Sequence, residues 1–192
     1  MKLKFFFANF LVLTGITILF GATDTYNQNA ERLLEKGRQL FYASVDDETK
    51  LDSAFALFEQ LGSEYPFYEG RAQTYIGVLT ALKGKHAFWV YSKYKLVKKG
   101  LEIMDNGIRQ SPNDVEALFV YGSTCHFMPF LFGRNDEAQQ AFHKIMELLP
   151  SEMHNYDPGL VKNVIDFLIE YTELNTSEVD KLDSLKTQLQ VK

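Results

Sequence analysis

The nine residues FEQLGSEYP, positions 58–66, decide how this chain is read, because their pattern returns twice. MDNGIRQSP occupies 104–112 and FHKIMELLP occupies 142–150, each ending on a proline. Each segment carries apolar residues at helical spacing before the proline, and each proline is followed by polar or turn residues and a new helical pattern. Proline has no N–H to donate and clashes with the preceding turn, so it stops one helix and can open the next. Recurrence at intervals of roughly forty residues is the signature of stacked helical hairpins.

Working back from each proline gives aligned positions. Ala54, Gly100 and Ala138 stand twelve residues before the prolines; Phe58, Met104 and Phe142 stand eight before; Leu61, Gly107 and Ile145 stand five before. A small residue lets two helices approach, and a large apolar residue one turn later fills the groove beside it. Upstream of each segment lies a further helical stretch with its own glycine: Gly37 in AERLLEKGRQLFYA, Gly77 in AQTYIGVLTAL and Gly122 in EALFVYGSTCHF. An interior glycine costs a helix about 1 kcal/mol relative to alanine, so three at equivalent places argue for close helix packing.

On these residues the chain resembles the tetratricopeptide-repeat family over positions 29–150. The family pattern is matched by Gly37, Ala54, Phe58 and Pro66, then by Gly77, Gly100, Met104 and Pro112, then by Gly122, Ala138, Phe142 and Pro150. The helix-A tryptophan of the family is absent from all three units. The distance from helix-A glycine to helix-B small residue also exceeds the family's. The resemblance implies an all-α, right-handed α-α superhelix of about four hairpins. It also implies a concave face, offering residues such as Arg71, Tyr75, Phe119 and Tyr121 to a peptide or helix.

Helices are expected near 27–43, 50–64, 68–83, 87–110, 114–127, 135–148, 158–173 and 177–190. Residues 23–192 read as one helical domain, with 151–192 as a C-terminal capping hairpin. Thr176 or Ser177 is placed to cap the last helix.

Residues 1–22, MKLKFFFANFLVLTGITILFGA, have the layout of a secretory signal peptide: Lys2 and Lys4, an apolar run over 5–20, then small residues. The run is shorter than the roughly 20 residues of a comfortable membrane span. Cleavage before Thr23 releases a periplasmic or secreted chain. An uncleaved inner-membrane anchor through 5–20 is the alternative. Cleavage takes the net charge from −5 to −7, and an acidic chain lacks the basic footprint of a nucleic-acid binder.

Two further stretches stand out. KGKHAFWVYSKYKLVKKG, 83–100, contains Lys85, Lys93, Lys95, Lys98 and Lys99 around Trp89, and no Asp or Glu lies between Glu69 and Glu102. On a helix beginning near 87, Trp89, Leu96 and Ile103 share a stripe, which makes Trp89 a core residue with lysines snorkelling past it. The sharper alternative is a basic, aromatic patch for an acidic partner or for anionic lipid headgroups. CHFMPFLFGRND, 125–136, is a turn in which Pro129 ends one helix, Gly133 takes a positive φ, and Asn135 or Asp136 caps the next. Its Phe127, Phe130, Leu131 and Phe132 are expected to tuck against the helix over 87–110. Their alternative is exposure to a partner or lipid.

No catalytic pattern is present. The four histidines lack metal-ligand spacing, and there is no nucleophile elbow, P-loop or dinucleotide fingerprint. The acids of VDDETKLD, 45–52, lack the glycine and spacing of a calcium loop. Cys125, the one cysteine, reads as a small buried hydrophobe. The expected function is a non-catalytic, cofactor-free module that binds another envelope protein or peptide, with peripheral membrane contact in reach. The alternative is a carrier of lipid or another small hydrophobic ligand.

Overall fold

A computed structural model describes residues 25–189; the signal-peptide reading of 1–22 lies outside them. Among the described residues there are eight α-helices and no strand: α1 (25–44), α2 (Leu51–Glu64), α3 (Glu69–His86), α4 (Val90–Gln110), α5 (Val115–His126), α6 (Asn135–Glu152), α7 (Pro158–Tyr171) and α8 (Thr176–Leu189). None of them is long and apolar enough to cross a membrane.

Most helices carry apolar residues that return every three or four positions; α3 is buried on nearly all sides and has no single apolar stripe. In α1 the inward positions are Ala30, Leu34, Gly37, Phe41 and Ser44; in α2 they are Leu51, Ala54, Phe58 and Leu61. Neighbours in sequence pack as neighbours in space: α2 on α3, α3 on α4, α5 on α6 and α7 on α8, with α3 also against α5. One core joins α1, α2 and α3 around Leu34, Phe58, Leu61 and Tyr75. The other joins α4 to α8 around Met104, Phe142, Ile145 and Leu168, and Val78 of α3 touches both.

The three aligned glycines face the three aligned large residues. A Cβ on Gly37 would stand 2.9 Å from the Phe58 ring, on Gly77 2.5 Å from Met104 Cγ, and on Gly122 2.8 Å from the Phe142 ring. The pair α3–α4 is closer still. Gly70 and Gly77 on α3 meet Gly107 and Gly100 on α4, all four at seven-residue spacing. A Cβ on Gly100 would lie 2.5 Å from the carbonyl oxygen of Gly77, and one on Gly107 2.7 Å from that of Gly70. With no side chains between them the two backbones touch, which makes α3–α4 the tightest pair.

Helix ends and caps differ from the sequence expectation, and α3 runs on to His86, three residues past the expected end. α4 begins at Val90, not near 87, so Trp89 is an extended residue ahead of the helix (φ −87°, ψ 132°) and lies off the stripe assigned to it. No Ser, Thr, Asp or Asn stands there to hold an earlier start. α6 runs through Pro150 to Glu152; a proline in a closing turn costs one backbone bond and does not stop the chain. The cap of α8 is Asn175: its Oδ1 accepts from Glu178 N at 3.1 Å, while Glu178 Oε2 accepts from Asn175 N at 2.9 Å, a reciprocal capping box. At the start of α6 the cap position is Arg134, with no side-chain cap bond from Asn135 or Asp136. Gly133 takes the positive φ of 60°.

Candidate functional site

The sequence NDVEAL, 113–118, opens α5 with two acids. Asp114 caps the helix, accepting from Ala117 N at 2.8 Å. Glu116 in the first turn points inward and is fully buried. Burying a carboxylate without partners is prohibitive, so cations must meet it. Arg38 of α1 donates to Glu116 through Nε at 2.7 Å and through Nη2 at 2.5 Å. Arg71 of α3 donates to Asp114 Oδ2 through Nε at 2.9 Å and Nη2 at 2.7 Å, and its Nη1 lies 3.1 Å from Glu116. The Tyr75 hydroxyl donates to Glu116 at 2.8 Å. Two guanidinium groups thus balance two carboxylates, and α1, α3 and α5 are clamped at one point.

Aromatic groups complete the clamp. The Arg71 guanidinium lies between the rings of Tyr68 and Tyr156, 5.1 and 5.3 Å from their centroids. Tyr68 donates to Glu31 at 2.5 Å, and the Tyr156 hydroxyl accepts from Val115 N at 3.0 Å. Burial alone would lower the pKa of both arginines, but the attached carboxylates raise it above the ordinary value, so both stay charged. Burial and then Glu116 push the Tyr75 hydroxyl well up, which keeps it a proton donor.

Over this clamp lies an open groove lined by Glu31, Arg32, Glu35, Lys36, Arg38 and Gln39 of α1 and by Asp157, the cap of α7. Arg38 belongs to both: its guanidinium is bound below while its stem contributes to the groove wall. Acidic and basic groups alternate along α1, so the groove is mixed in charge, while most of its exposed wall is the carbon of these long side chains. A second open groove, lined by residues such as Glu48, Asp52, Lys83 and His86, lies at the α1–α2 turn. Among the described residues no cluster of three or more His, Cys, Asp or Glu side chains has the arrangement of a metal site.

Three of the four residues assigned to a concave binding face are buried and brace the helices. Arg71, Tyr75 and Tyr121 are buried. Arg71 and Tyr75 belong to the buried clamp, and neither lines the groove. Tyr121 donates to Asp105 of α4 at 2.8 Å, and Arg134 holds the same carboxylate at 2.9 and 2.8 Å. Phe119 is half-buried, edge-on to Phe167 of α7 at 5.3 Å. A partner reaches none of the three buried side chains without parting the helices.

The basic, aromatic stretch and the Phe-rich turn are more open than expected. Trp89 is 70% exposed, and Phe88, Val90, Tyr91 and Tyr94 are exposed with it. Phe130 is 98% exposed, and Phe127 and Leu131 are exposed too; only Phe132 tucks in, stacking on Tyr94 at 5.7 Å. The reason is local. Phe130–Phe132 form a single 3-10 turn between Pro129 and the left-handed Gly133, and so short a turn directs its first two side chains outward. Lys85 donates to Val45 O at 2.7 Å. Lys93, Lys95, Lys98 and Lys99 form no ion pair with a described acid, and Lys98 lies 5.8 Å from the Tyr94 ring centroid.

The buried clamp escaped sequence reasoning because Arg38 and Glu116 are 78 residues apart and nothing local links them. The available signal was a charged pair, Asp114 and Glu116, flanking Val115 where α5 turns apolar. No family model matches the chain, and neither a curated protein nor a solved structure matches it.

Proposed function

We propose that the protein is a non-catalytic helical-repeat module of the bacterial cell envelope that binds another envelope protein or a peptide. In this reading the hairpins follow the tetratricopeptide-like, right-handed superhelical path, and the α1 groove is the receptor surface. The repeated fit of Gly37, Gly77 and Gly122 against Phe58, Met104 and Phe142 supports that path.

The observation that carries the binding role is the groove's position directly over a buried four-charge clamp. A charged surface of this kind binds usefully when its backbone is already fixed, because less freedom is lost on association. Arg32, Lys36 and the acids Glu31 and Glu35 offer charge pairs to a polar segment, and Arg38 fixes the helix that carries them. The groove is open and not enclosed, which favours a macromolecular segment over a small ligand sequestered from water.

A photo-crosslinking residue placed at Lys36 of the full chain, in intact cells, tests this. The expected result is one discrete protein adduct at Lys36 and none from the same probe at Gln140, an exposed position on α6. No adduct at Lys36, or equal adducts at both places, overturns the assignment.

A further inference from the structure

We propose that the edge formed by the α3–α4 and α5–α6 turns docks on the surface of an anionic phospholipid membrane. This inference stands apart from the groove and does not depend on it.

The turns that join α1 to α2, α3 to α4, α5 to α6 and α7 to α8 lie along one edge. Lys85 beside Val45 joins the first two, Tyr94 on Phe132 joins the second and third, and Phe127 against Tyr171, at 5.4 Å, joins the last two. Of the exposed large apolar residues described, all but Tyr26 and Phe67 belong to this edge. Exposed apolar side chains are ordinary when scattered, and a contiguous set marks a contact surface.

Shape and charge select the occupant. The side chains project from the tips of tight turns, so they suit a soft surface that accepts protrusions. The Phe130 tip also carries its own backbone bonds: Phe132 N donates to Pro129 O and Gly133 N to Phe130 O, both at 2.9 Å. Each of these bonds lowers the cost of taking the tip out of water. Trp and Tyr favour the interfacial zone. Behind the tips, Lys93 and Lys95 lie within the first two turns of α4, some ~5–8 Å up the helix from Val90 at 1.5 Å per residue. That is headgroup level when the tips enter the acyl boundary. Lys98 and Lys99 follow one turn later. These four unpaired lysines stand on a chain of net charge −5, so the positive end is a local feature and not an average one. The neighbouring α1–α2 turn bears Asp46, Asp47 and Glu48, of which Asp47 pairs with Lys50 and Glu48 lies 3.8 Å from His86. Asp136 and Glu137 open α6, and Glu137 pairs with Arg134. In this docking the α3–α4 turn and the Phe130 tip meet the membrane, with the α1–α2 turn beside them on the same edge and its Asp47 offset by Lys50.

Trp89 is the one tryptophan of the chain, so its fluorescence reports this edge alone and is blind to the apolar run at 5–20. Full-length protein is titrated with vesicles of phosphatidylcholine, with and without phosphatidylglycerol. The expected result is a blue-shifted Trp89 emission and quenching by brominated acyl chains on anionic vesicles, both reversed by salt. K95E/K98E should lower partitioning to anionic vesicles by more than about tenfold, since each lysine near such a surface is worth about fivefold. F130S/L131S should abolish the shift with the helical circular dichroism unchanged. Unchanged Trp89 emission on anionic vesicles overturns the proposal, even if the chain co-sediments. So does a shift that is equal on neutral vesicles and indifferent to the lysine substitutions. A shift seen only with a purified partner protein and never with vesicles assigns the edge to protein and overturns it equally.

Discussion

Gly100→Ala sets two effects against each other. Alanine is the better helix former and should stabilise α4 by about 1 kcal/mol. Its methyl, however, would lie 2.5 Å from Gly77 O, 2.7 Å from Ala81 N and 2.8 Å from Ala81 Cβ. Two of those three are backbone atoms of α3, which no rotamer change can move. Reaching ordinary contact near 3.5 Å requires the two helices to part by about 1 Å. The gap would open beside the fully buried Met104 and beside Leu101. Overpacking of this kind costs about 1–3 kcal/mol, and a rigid backbone neighbour places the case at or above the upper end. Net destabilisation of about 2 kcal/mol follows, a drop in Tm of about 4–8 °C for a chain of this size. Urea unfolding followed by far-ultraviolet circular dichroism measures it, with an unchanged slope expected. A variant as stable as the parent, or more so, would refute the backbone contact and show that helix propensity governs this pair.

Other consequences concern the clamp, the thiol, the last hairpin and the loop. Glu116→Leu leaves Arg38 paired only with the exposed Glu35 and Arg71 only with Asp114. It should cost about 3–5 kcal/mol in denaturant unfolding, and a loss below 1 kcal/mol would contradict the clamp. The Cys125 thiol is pushed up to about 12 by burial first of all. Ellman's reagent should therefore label it only when the protein unfolds, and rapid native labelling would contradict its burial. The Asp166 carboxyl is held below its ordinary value by hydrogen bonds from Lys162 and Lys186. The tie of α7 to α8 is thus present above the ordinary carboxylate range and is lost as pH falls through the lowered folded value. Amide protection of α8 should fall in acid, and Asp166→Asn should remove that dependence. Gly133→Ala meets open space but keeps φ at 60°, so about 1 kcal/mol should be lost through the left-handed backbone alone.

The helices were readable because their signals are local. Apolar spacing and turn residues locate all eight, although α6 runs past Pro150, and the aligned glycine and large residues pack on each other. The heptad match between Gly70, Gly77, Gly100 and Gly107 was present in the sequence, but it acquires meaning only when α3 and α4 are laid side by side. Trp89 was misplaced because its stripe assumed a helix three residues longer than the one that forms. Arg71 and Tyr75 read from the sequence as residues offered to a partner, but both are buried, and the groups they bind lie on α5, more than forty residues away. Long-range charge pairing leaves no periodic trace, so a residue that looks like a receptor from its own helix becomes a brace once its neighbour arrives.

The most direct test of the binding role compares two full-length proteins purified by affinity tag from gently solubilised membranes. One is the parent, and the other carries R32E/K36E on the groove wall, both exposed positions outside the clamp. A stoichiometric protein partner that co-purifies with the parent and is lost from the variant, at equal thermal stability, is the predicted result. Partners retained equally by both, or none with either, would contradict the groove as the site of recognition.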